Sequence, residues 1–462
     1  MFGQPSELIQ IVQRGMACQQ AGKLDAAEAL YKQALAIDAN QFEALHFHGV
    51  LQAQRGNLIE AERLVSQSLT LNAQRAEAHL NHARILRDLQ RPEATIESCK
   101  TALRLNPNLV AASVLLGNAL CDLARYDAAL AAYERAIALQ PNYHDALYNR
   151  GLLQLARGQF EQGWAGFEHR FAISEQAVHR PLLPGRDWAG EPLSEKSIVV
   201  HGEQGFGDTI MMLRYLPLLA QAGAHVTFVV APELLRLLRT LSSPIELVAD
   251  VNARTFDYQC AAMSLPGRLW RTAGFASQTP HQVPYLAPEA ELVGRWRAHI
   301  GDHGFKVGIC WQGNPTGKAD RGRSLPLAQL APLTQIPGVR LISLQTHHGL
   351  DQLQRLPPGM PVERLGEDYA TGSDSFVDTA AAMHCVDLVV TTDTAPAHLA
   401  GALARPCWVL LMHVPDWRWM IGRQDSPWYP HTRLFRQSER GNWEMPVRKL
   451  TDELRRLAGA SV

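Results

Sequence analysis

Residues 113–146 read SVLLGNALCDLARYDAALAAYERAIALQPNYHDA, and this stretch decides the first part of the fold. A small residue, Gly117, sits in one apolar-periodic run, Tyr126 opens a second, and Gln140-Pro141-Asn142 closes it with residues that stop a helix. The same pattern returns every 34 residues in segments beginning at Ile11, Leu45, His79 and Leu147. The small residue recurs as Gly15, Gly49, Ala83 and Gly151, where two helices must approach closely. The apolar residue recurs as Leu24, Leu58 and Phe160, with Pro92 breaking the third copy there. The second helix of each unit carries a small residue at Ala34, Ser68, Ala102 or Ala136, and units close near DAN, NAQ, NPN and QPN.

Period, helix-turn-helix pattern and size alternation together resemble the tetratricopeptide repeat family over roughly residues 8–172, in four full units and a fifth, altered one. Units of this kind stack into one continuous core. The resemblance implies a superhelix whose concave face holds a peptide or another protein. The alternative is an array that packs only against the rest of the chain or itself. His46, His48, His79 and His82 carry no metal reading, because the repeat already explains their helices and no cysteine or carboxylate cluster stands beside them.

At 462 residues the chain has room for two or three cores. Lys plus Arg is 44 against 45 Asp plus Glu, so no net charge favours nucleic acid or an anionic membrane as partner. Seven cysteines (Cys18, Cys99, Cys121, Cys260, Cys310, Cys385, Cys407) are scattered and never spaced C-x-x-C, which points to neither zinc nor a disulfide framework and suits a reducing compartment. The start MFGQPSELIQ lacks the features of a signal peptide, and no apolar run is long enough to span a bilayer. The expectation is a cytoplasmic, soluble protein without a transmembrane segment.

After Phe171 the period stops, and the Pro- and Gly-containing stretch from Pro181 to Pro192 reads as a linker with Trp188 as an aromatic anchor. Then SIVVHGEQGFGDTIMMLRYLPLLAQAG gives strand, glycine-rich loop and helix, and HVTFVVAPELLRLLRTL gives strand and helix again. KVGICWQG, VRLISLQ, VDLVVTTD and CWVLLM are further buried strands separated by helical segments, implying a second parallel sheet. Two doubly wound lobes with a seam near residues 285–305 place a ligand cleft at the C-terminal ends of their strands.

Three loops could carry chemistry there. Gly202-Glu203-Gln204-Gly205-Phe206-Gly207-Asp208 departs from the G-x-G-x-x-G dinucleotide fingerprint. Asp208, at the helix start, reads equally as a cap, favourable by about 1 kcal/mol, or as a catalytic group. Thr391-Thr392-Asp393-Thr394-Ala395-Pro396-Ala397-His398 passes from strand end to helix. Its helix amides and dipole would suit a diphosphate, with Thr394 and His398 adding hydrogen bonds and Asp393 accepting from sugar or ribose hydroxyls; an ordinary helix start would look similar. Gly313-Asn314-Pro315 followed by Lys318, Arg321 and Arg323-Ser324 gathers three cations, either to neutralise a departing diphosphate or as a solvated loop. The tryptophans of residues 414–430 read first as packing, second as a stacking wall.

In order and spacing, HGEQGFGDTIMMLRYLP, GICWQGNP with RSLPL, ISLQ and DTAPAHLAGAL resemble the heptosyltransferase-like (family 9-like) glycosyltransferases of the two-lobed GT-B fold, over roughly residues 185–450. The whole arrangement is also similar to bacterial repeat-containing glycosyltransferase proteins and, more distantly, to the protein O-GlcNAc transferases. The expected fold class is therefore α plus α/β: a tetratricopeptide-repeat superhelix at 1–175, a linker at 176–195, an acceptor-side GT-B lobe of Rossmann type at 196–295 and a nucleotide-sugar lobe at 296–462. The resemblance implies Asp208 as general base. It implies Gly205, Gly207, Lys318, Arg323, Ser324, Gln345, Asp393, Thr394, Ala395 and His398 on the donor side. The family glycine after D-T is Ala395 here, and the basic position is arginine where lysine is frequent. With no D-x-D pair in the chain, the expected chemistry needs no metal and no cofactor, only a nucleotide-sugar co-substrate, with inverting transfer to an acceptor hydroxyl. The alternative is an interaction scaffold whose transferase lobes are degenerate.

Overall fold

The structure, a computed structural model, describes residues 4–173, 181, 183–241, 243–252, 254–271, 282–316, 320 and 322–459, with the backbone alone at 4–6 and 373. Lys318 and Arg321 of the sequence analysis lie outside the described residues. The chain forms two compact units, Met1–Leu153 and Gln154–Val462.

The first unit is an array of paired helices: α1 Gln4–Gln20 with α2 Leu24–Ile37, α3 Phe42–Gln54 with α4 Leu58–Leu71, α5 Ala76–Asp88 with α6 Pro92–Leu105, and α7 Val110–Asp122 with α8 Tyr126–Leu139. Each pair packs on the next, and the first helices of successive pairs also touch one another, so the packing is between near neighbours. The small residue of each first helix is there to admit a large one from the second. A Cβ added at Gly15 would lie 2.6 Å from Tyr31 and one at Gly49 2.6 Å from Val65, while Gly117 faces Tyr133 in the same way. In the third unit, where Ala83 replaces the glycine, the residue at the matching position is the smaller Cys99, buried in the same cluster.

The turn between paired helices repeats as well. Gly22, Gly56, Gln90, Ala124 and Gly158 all have positive φ, at 74°, 82°, 58°, 56° and 77°. Pro92, an interruption in the sequence pattern, is the first residue of α6, where its missing N–H has no helical acceptor to lose.

The second unit begins in the last turn of α9 His144–Ala156 and continues through α10 Phe160–Phe167. Its first sheet contains β1 Arg186–Asp187, β2 Ser197–His201, β3 His225–Val229, β4 Ile245–Val248 and β5 Tyr258–Ala261, all parallel in the order β1-β5-β2-β3-β4. Between strands run α11 Phe206–Met212, α12 Leu216–Gln221 and α13 Pro232–Leu238. The sequence suggests one long helix after the glycine loop. The chain instead breaks at a 3-10 turn, Leu213–Tyr215, and restarts with Pro217 in the first turn of α12. After α14 Leu265–Trp270 and α15 Ala290–Ile300 come β6 Phe305–Cys310, β7 Val339–Ser343, α16 Ser375–His384, β8 Leu388–Thr392, α17 Ala395–Ala402, β9 Cys407–Leu411, β10 Thr432–Arg436 and α18 Glu444–Gly459. The second sheet is parallel, ordered β10-β9-β8-β6-β7.

The two parallel sheets expected from the sequence are therefore present. The strand β1 lies inside the stretch read as a linker, and Trp188 beside it is buried and donates its backbone N–H to Gln259 O at 2.9 Å. In the first sheet the chain enters at the edge strand β1, passes to the central β2, runs to the far edge at β4 and returns as β5 on the other side of β2. In the second it starts at β6, runs to the edge at β7 and returns as β8 on the other side of β6. The switch points fall at β2/β5 and β6/β8, where parallel sheets open a crevice at their C-terminal ends.

Candidate functional site

The three loops singled out by sequence leave the sheets at these switch points. The glycine loop follows β2, residues 311–324 follow β6, and residues 393–394 join β8 to α17. Gly313, Arg323 and Thr394 converge: a Cβ on Gly313 would stand 2.9 Å from Arg323 Nη2 and 3.2 Å from Thr394 Cγ2. Arg323 also pairs with Asp320, Nε to Oδ1 3.7 Å.

Ser324 and Gln345 shape the same loop. Ser324 Oγ accepts from Gly313 N–H at 3.0 Å and donates to Asp320 Oδ1 at 2.6 Å. Gln345 Oε1 accepts from the N–H groups of Trp311 and Gln312 at 2.9 and 3.1 Å, and its Nε2 donates to Gln312 O at 2.8 Å. Apart from the Ser324–Asp320 bond, these polar atoms are spent on backbone, which fixes the route of the chain out of β6.

The start of α17 offers fewer amides than a generic helix. Pro396 has no N–H, and Ala397 N–H goes to Thr394 O at 2.9 Å, so Ala395 N–H stands at the open end. Facing it is α11 of the first lobe. A Cβ on Gly207 would fall 2.8 Å from His398 Cδ2, 3.3 Å from Ala395 Cα and 3.6 Å from Ala395 N. The missing side chain of Gly207 thus lets the two helix starts touch. Gly205 is the residue that caps α11, and its N–H donates to Asp208 Oδ2 at 3.0 Å. The other Asp208 oxygen, Oδ1, is ion-paired with Arg418 Nη2.

Arg418 lies in the long connection from β9 to β10. It is buried, its Nη1 donates to Asp416 Oδ1 at 2.6 Å, its guanidinium covers the Trp417 ring at 4.5 Å, and its Nε has no hydrogen-bond partner among the described residues. Beside it, burial first and then the charge of Asp416 push the Asp393 carboxyl up to about 6, against opposing pulls from Trp419, Arg323 and Arg418. His398 is buried, its Nδ1 is 3.0 Å from Tyr429 Oη, and its ring stacks on Trp419 with centroids 5.3 Å apart. Burial, reinforced by Arg418, Arg214 and Arg323, holds its pKa well below the usual value, so the imidazole is neutral and can offer a hydrogen bond but no charge.

Trp417, Trp419 and Trp428 are all buried, which is the packing reading of that segment. Trp417 meets Trp164 of α10 edge to face, 5.1 Å between centroids.

Sequence reasoning gave no role to Arg418 or to the pair that anchors the glycine loop, Arg170 and Glu203. Arg170 Nε and Nη2 donate to the two Glu203 oxygens at 3.1 and 2.7 Å, with both side chains almost wholly buried. Glu203 Oε1 also accepts from Met263 N–H at 3.1 Å, and Arg170 reaches Glu168 and Ser264 at 2.9 and 2.8 Å. Glu203 stood in plain view inside the quoted loop; its partner, before the linker, gave no local signal.

Residues 117–158 match the family described as TPR repeat, and residues 11–41 and 76–109 match that described as Tetratricopeptide repeat. The chain thus carries tetratricopeptide repeats in its N-terminal region, followed by an α/β unit with two parallel sheets. Protein FlbA of Caulobacter vibrioides is 26% identical over 342 residues, covering 68% of this chain and 55% of that protein. This chain spans about half the length of that relative, and the match is too long to fall within the repeats alone. Among solved structures, that of MamA is 24% identical, covering 35% of this chain and 94% of its own, with a TM-score of 0.32. YrrB, described as a TPR protein with an unusual peptide-binding site, is 20% identical over 36% of this chain and 85% of its own, at a TM-score of 0.31. A thermophilic TPR protein of Thermus thermophilus is 18% identical over 37% of this chain and 92% of its own, at 0.32. Among the described residues no helix is long and apolar enough to cross a membrane.

Proposed function

We propose that the α/β unit is a metal-independent inverting glycosyltransferase of GT-B type, taking a sugar from a nucleoside diphosphate donor to an acceptor hydroxyl, and that the repeats recruit an acceptor or partner protein. The observation that carries this reading is the convergence of Gly313, Arg323 and Thr394 at the β6/β8 switch point, with Asp208 of the other lobe brought alongside by Arg418. A cation, a helix start and a carboxylate from opposite lobes are what a single displacement needs. The acceptor oxygen bonds to the anomeric carbon, the bond from that carbon to the diphosphate breaks, and the acceptor proton passes to Asp208. The charge left on the diphosphate falls to Arg323, Arg418 and the Ala395 N–H.

The reading is tested on the purified full chain by following thermal shift and calorimetric binding with UDP, GDP, ADP and their sugar conjugates in the absence of added metal, then by donor-dependent release of nucleoside diphosphate. Binding weakened in His398→Ala and retained in Asp208→Asn supports a donor site separate from the base. A well-folded chain that binds none of them removes the reading. One observation favours a second reading, an interaction protein with degenerate lobes: both Asp208 oxygens are already engaged, by Gly205 N–H and by Arg418. In that case no donor binds and the repeats carry the function.

A further inference from the structure

Arg418 joins acids from both lobes. Its Nη2 is ion-paired with Asp208 of α11, and its Nη1 with Asp416 of its own loop. Gln204 Oε1 of the glycine loop is a further 3.5 Å neighbour. The third nitrogen, Nε, is buried with no partner among the described residues, and Arg418 as a residue is 8% exposed. A buried N–H of a cation left without an acceptor is costly, so the site has a place for one more acceptor oxygen, and an anionic one suits the cation best. The segment bearing it is rigid: Asp416 Oδ1 accepts from Arg418 N–H at 3.0 Å, and Trp419, the next residue, stacks on His398 of α17. The guanidinium is therefore fixed relative to the start of α17 and held, not adjusted, by Asp208.

The approach to that helix start is closed by the same contact. Gly207 lies against Ala395, and α11 and α17 touch directly. An anion reaching the Ala395 N–H has to displace α11, which is tied there by the ion pair between Asp208 and Arg418 beside the ring contact of Phe206 with Phe376.

We propose that Arg418 is a latch shared by Asp208 and the donor diphosphate. In the free protein it closes the lobes by pairing with Asp208; an incoming diphosphate takes its guanidinium, and Asp208 is released to face the acceptor. The inference rests on the donor site proposed above and adds to it a competition: the base becomes available only when the diphosphate is in place. Asp208 is then an antagonist of donor binding as well as the acceptor's proton partner.

The test measures binding of UDP, GDP, ADP and inorganic pyrophosphate to the full chain and to Asp208→Asn, Arg418→Ala and Arg418→Lys, with each variant's fold checked by tryptophan emission. The asparagine keeps an oxygen for Gly205 N–H and gives up the charge. The latch predicts diphosphate binding about threefold or more tighter in Asp208→Asn, the loss of a competing ion pair. It also predicts binding about tenfold weaker in Arg418→Ala, with partial recovery in Arg418→Lys, which restores charge without the fork. Binding to the parent chain that is unchanged or weaker in Asp208→Asn overturns the latch and leaves the donor site standing. Failure of every probe on every folded variant overturns the donor site and the latch together.

Discussion

The Cβ that Gly207 lacks would sit 2.8 Å from Cδ2 of His398, whose ring is itself fixed by Trp419 and Tyr429. The ring cannot swing aside, and the backbone of Ala395 waits at 3.3 Å. Gly207→Ala therefore overpacks the lobe seam and should destabilise the α/β unit by about 1–3 kcal/mol. All ten tryptophans lie beyond residue 153, so a urea titration followed by tryptophan emission reads this unit alone. An unchanged midpoint would mean that the lobes do not touch at Gly207.

Arg170 and Glu203 are each other's compensation. Replacing Arg170 leaves Glu203 buried without its guanidinium, so Arg170→Met should cost about 3–5 kcal/mol in the tryptophan-detected transition, and Glu203→Leu, which leaves Arg170 its pair with Glu168, should cost less. The double substitution should cost clearly less than the sum of the two. Simple additivity would show that the pair is not coupled.

Gln90 and Ala124 occupy left-handed turn positions that are glycine in the neighbouring units, with φ of 58° and 56°. A side chain there costs about 1–2 kcal/mol, partly offset by the greater freedom of glycine when unfolded. Gln90→Gly and Ala124→Gly should each raise the stability of the repeat array by roughly 0.5–1 kcal/mol. Far-UV circular dichroism in urea gives the measurement, and a lower midpoint for either would contradict it.

His46 in α3 is buried, stacked on Phe42, and within 3.1 Å of the Asn81 side-chain amide. Burial lowers its pKa to about 4, Glu43 raising it and Arg75 lowering it further, and His48 and His82 are also shifted down, chiefly by burial. The folded array therefore binds fewer protons than the unfolded chain. Its stability is full above the unfolded histidine pKa, near 6.5, and falls as pH drops from there toward 4. His46 alone should account for about 2 kcal/mol lost by pH 5, and His46→Gln should flatten the dependence of the helical melting midpoint on pH between 6.5 and 5.

The repeat period was readable because it is local: the small position and the residue facing it are 16 apart, and each second helix starts one period after the last, at Leu24, Leu58, Pro92, Tyr126 and Phe160. What escaped was chemistry that composition does not announce. Gln90 and Ala124 carry no left-handed signature, and Pro92 looks like a break until it is seen at the head of α6. The buried runs β2, β3, β6, β7, β8 and β9 were legible as apolar stretches. By contrast, β4, β5 and β10 are short or carry Glu246, Gln259, Arg433 and Arg436 among their apolar residues, and β1 has two residues only. At the site, the loops were legible and their mutual contacts were not. Asp208 meets Arg418 across 210 positions, and Glu203 meets Arg170 across 33 that include the interlude between repeat and sheet. No short window along the chain contains such a pair.

The anchoring of Glu203 by Arg170 also limits how this gene could have been assembled or can be recombined. A junction placed where the repeat pattern ends, near residue 175, would hand the sheets to a new neighbour while leaving a buried carboxylate behind without its guanidinium, and would strip Trp164 from Trp417. The transplantable module therefore starts at about residue 154 and carries a stub of the repeat with it. Any lengthening or shortening of the array in its descendants should fall upstream of that stub.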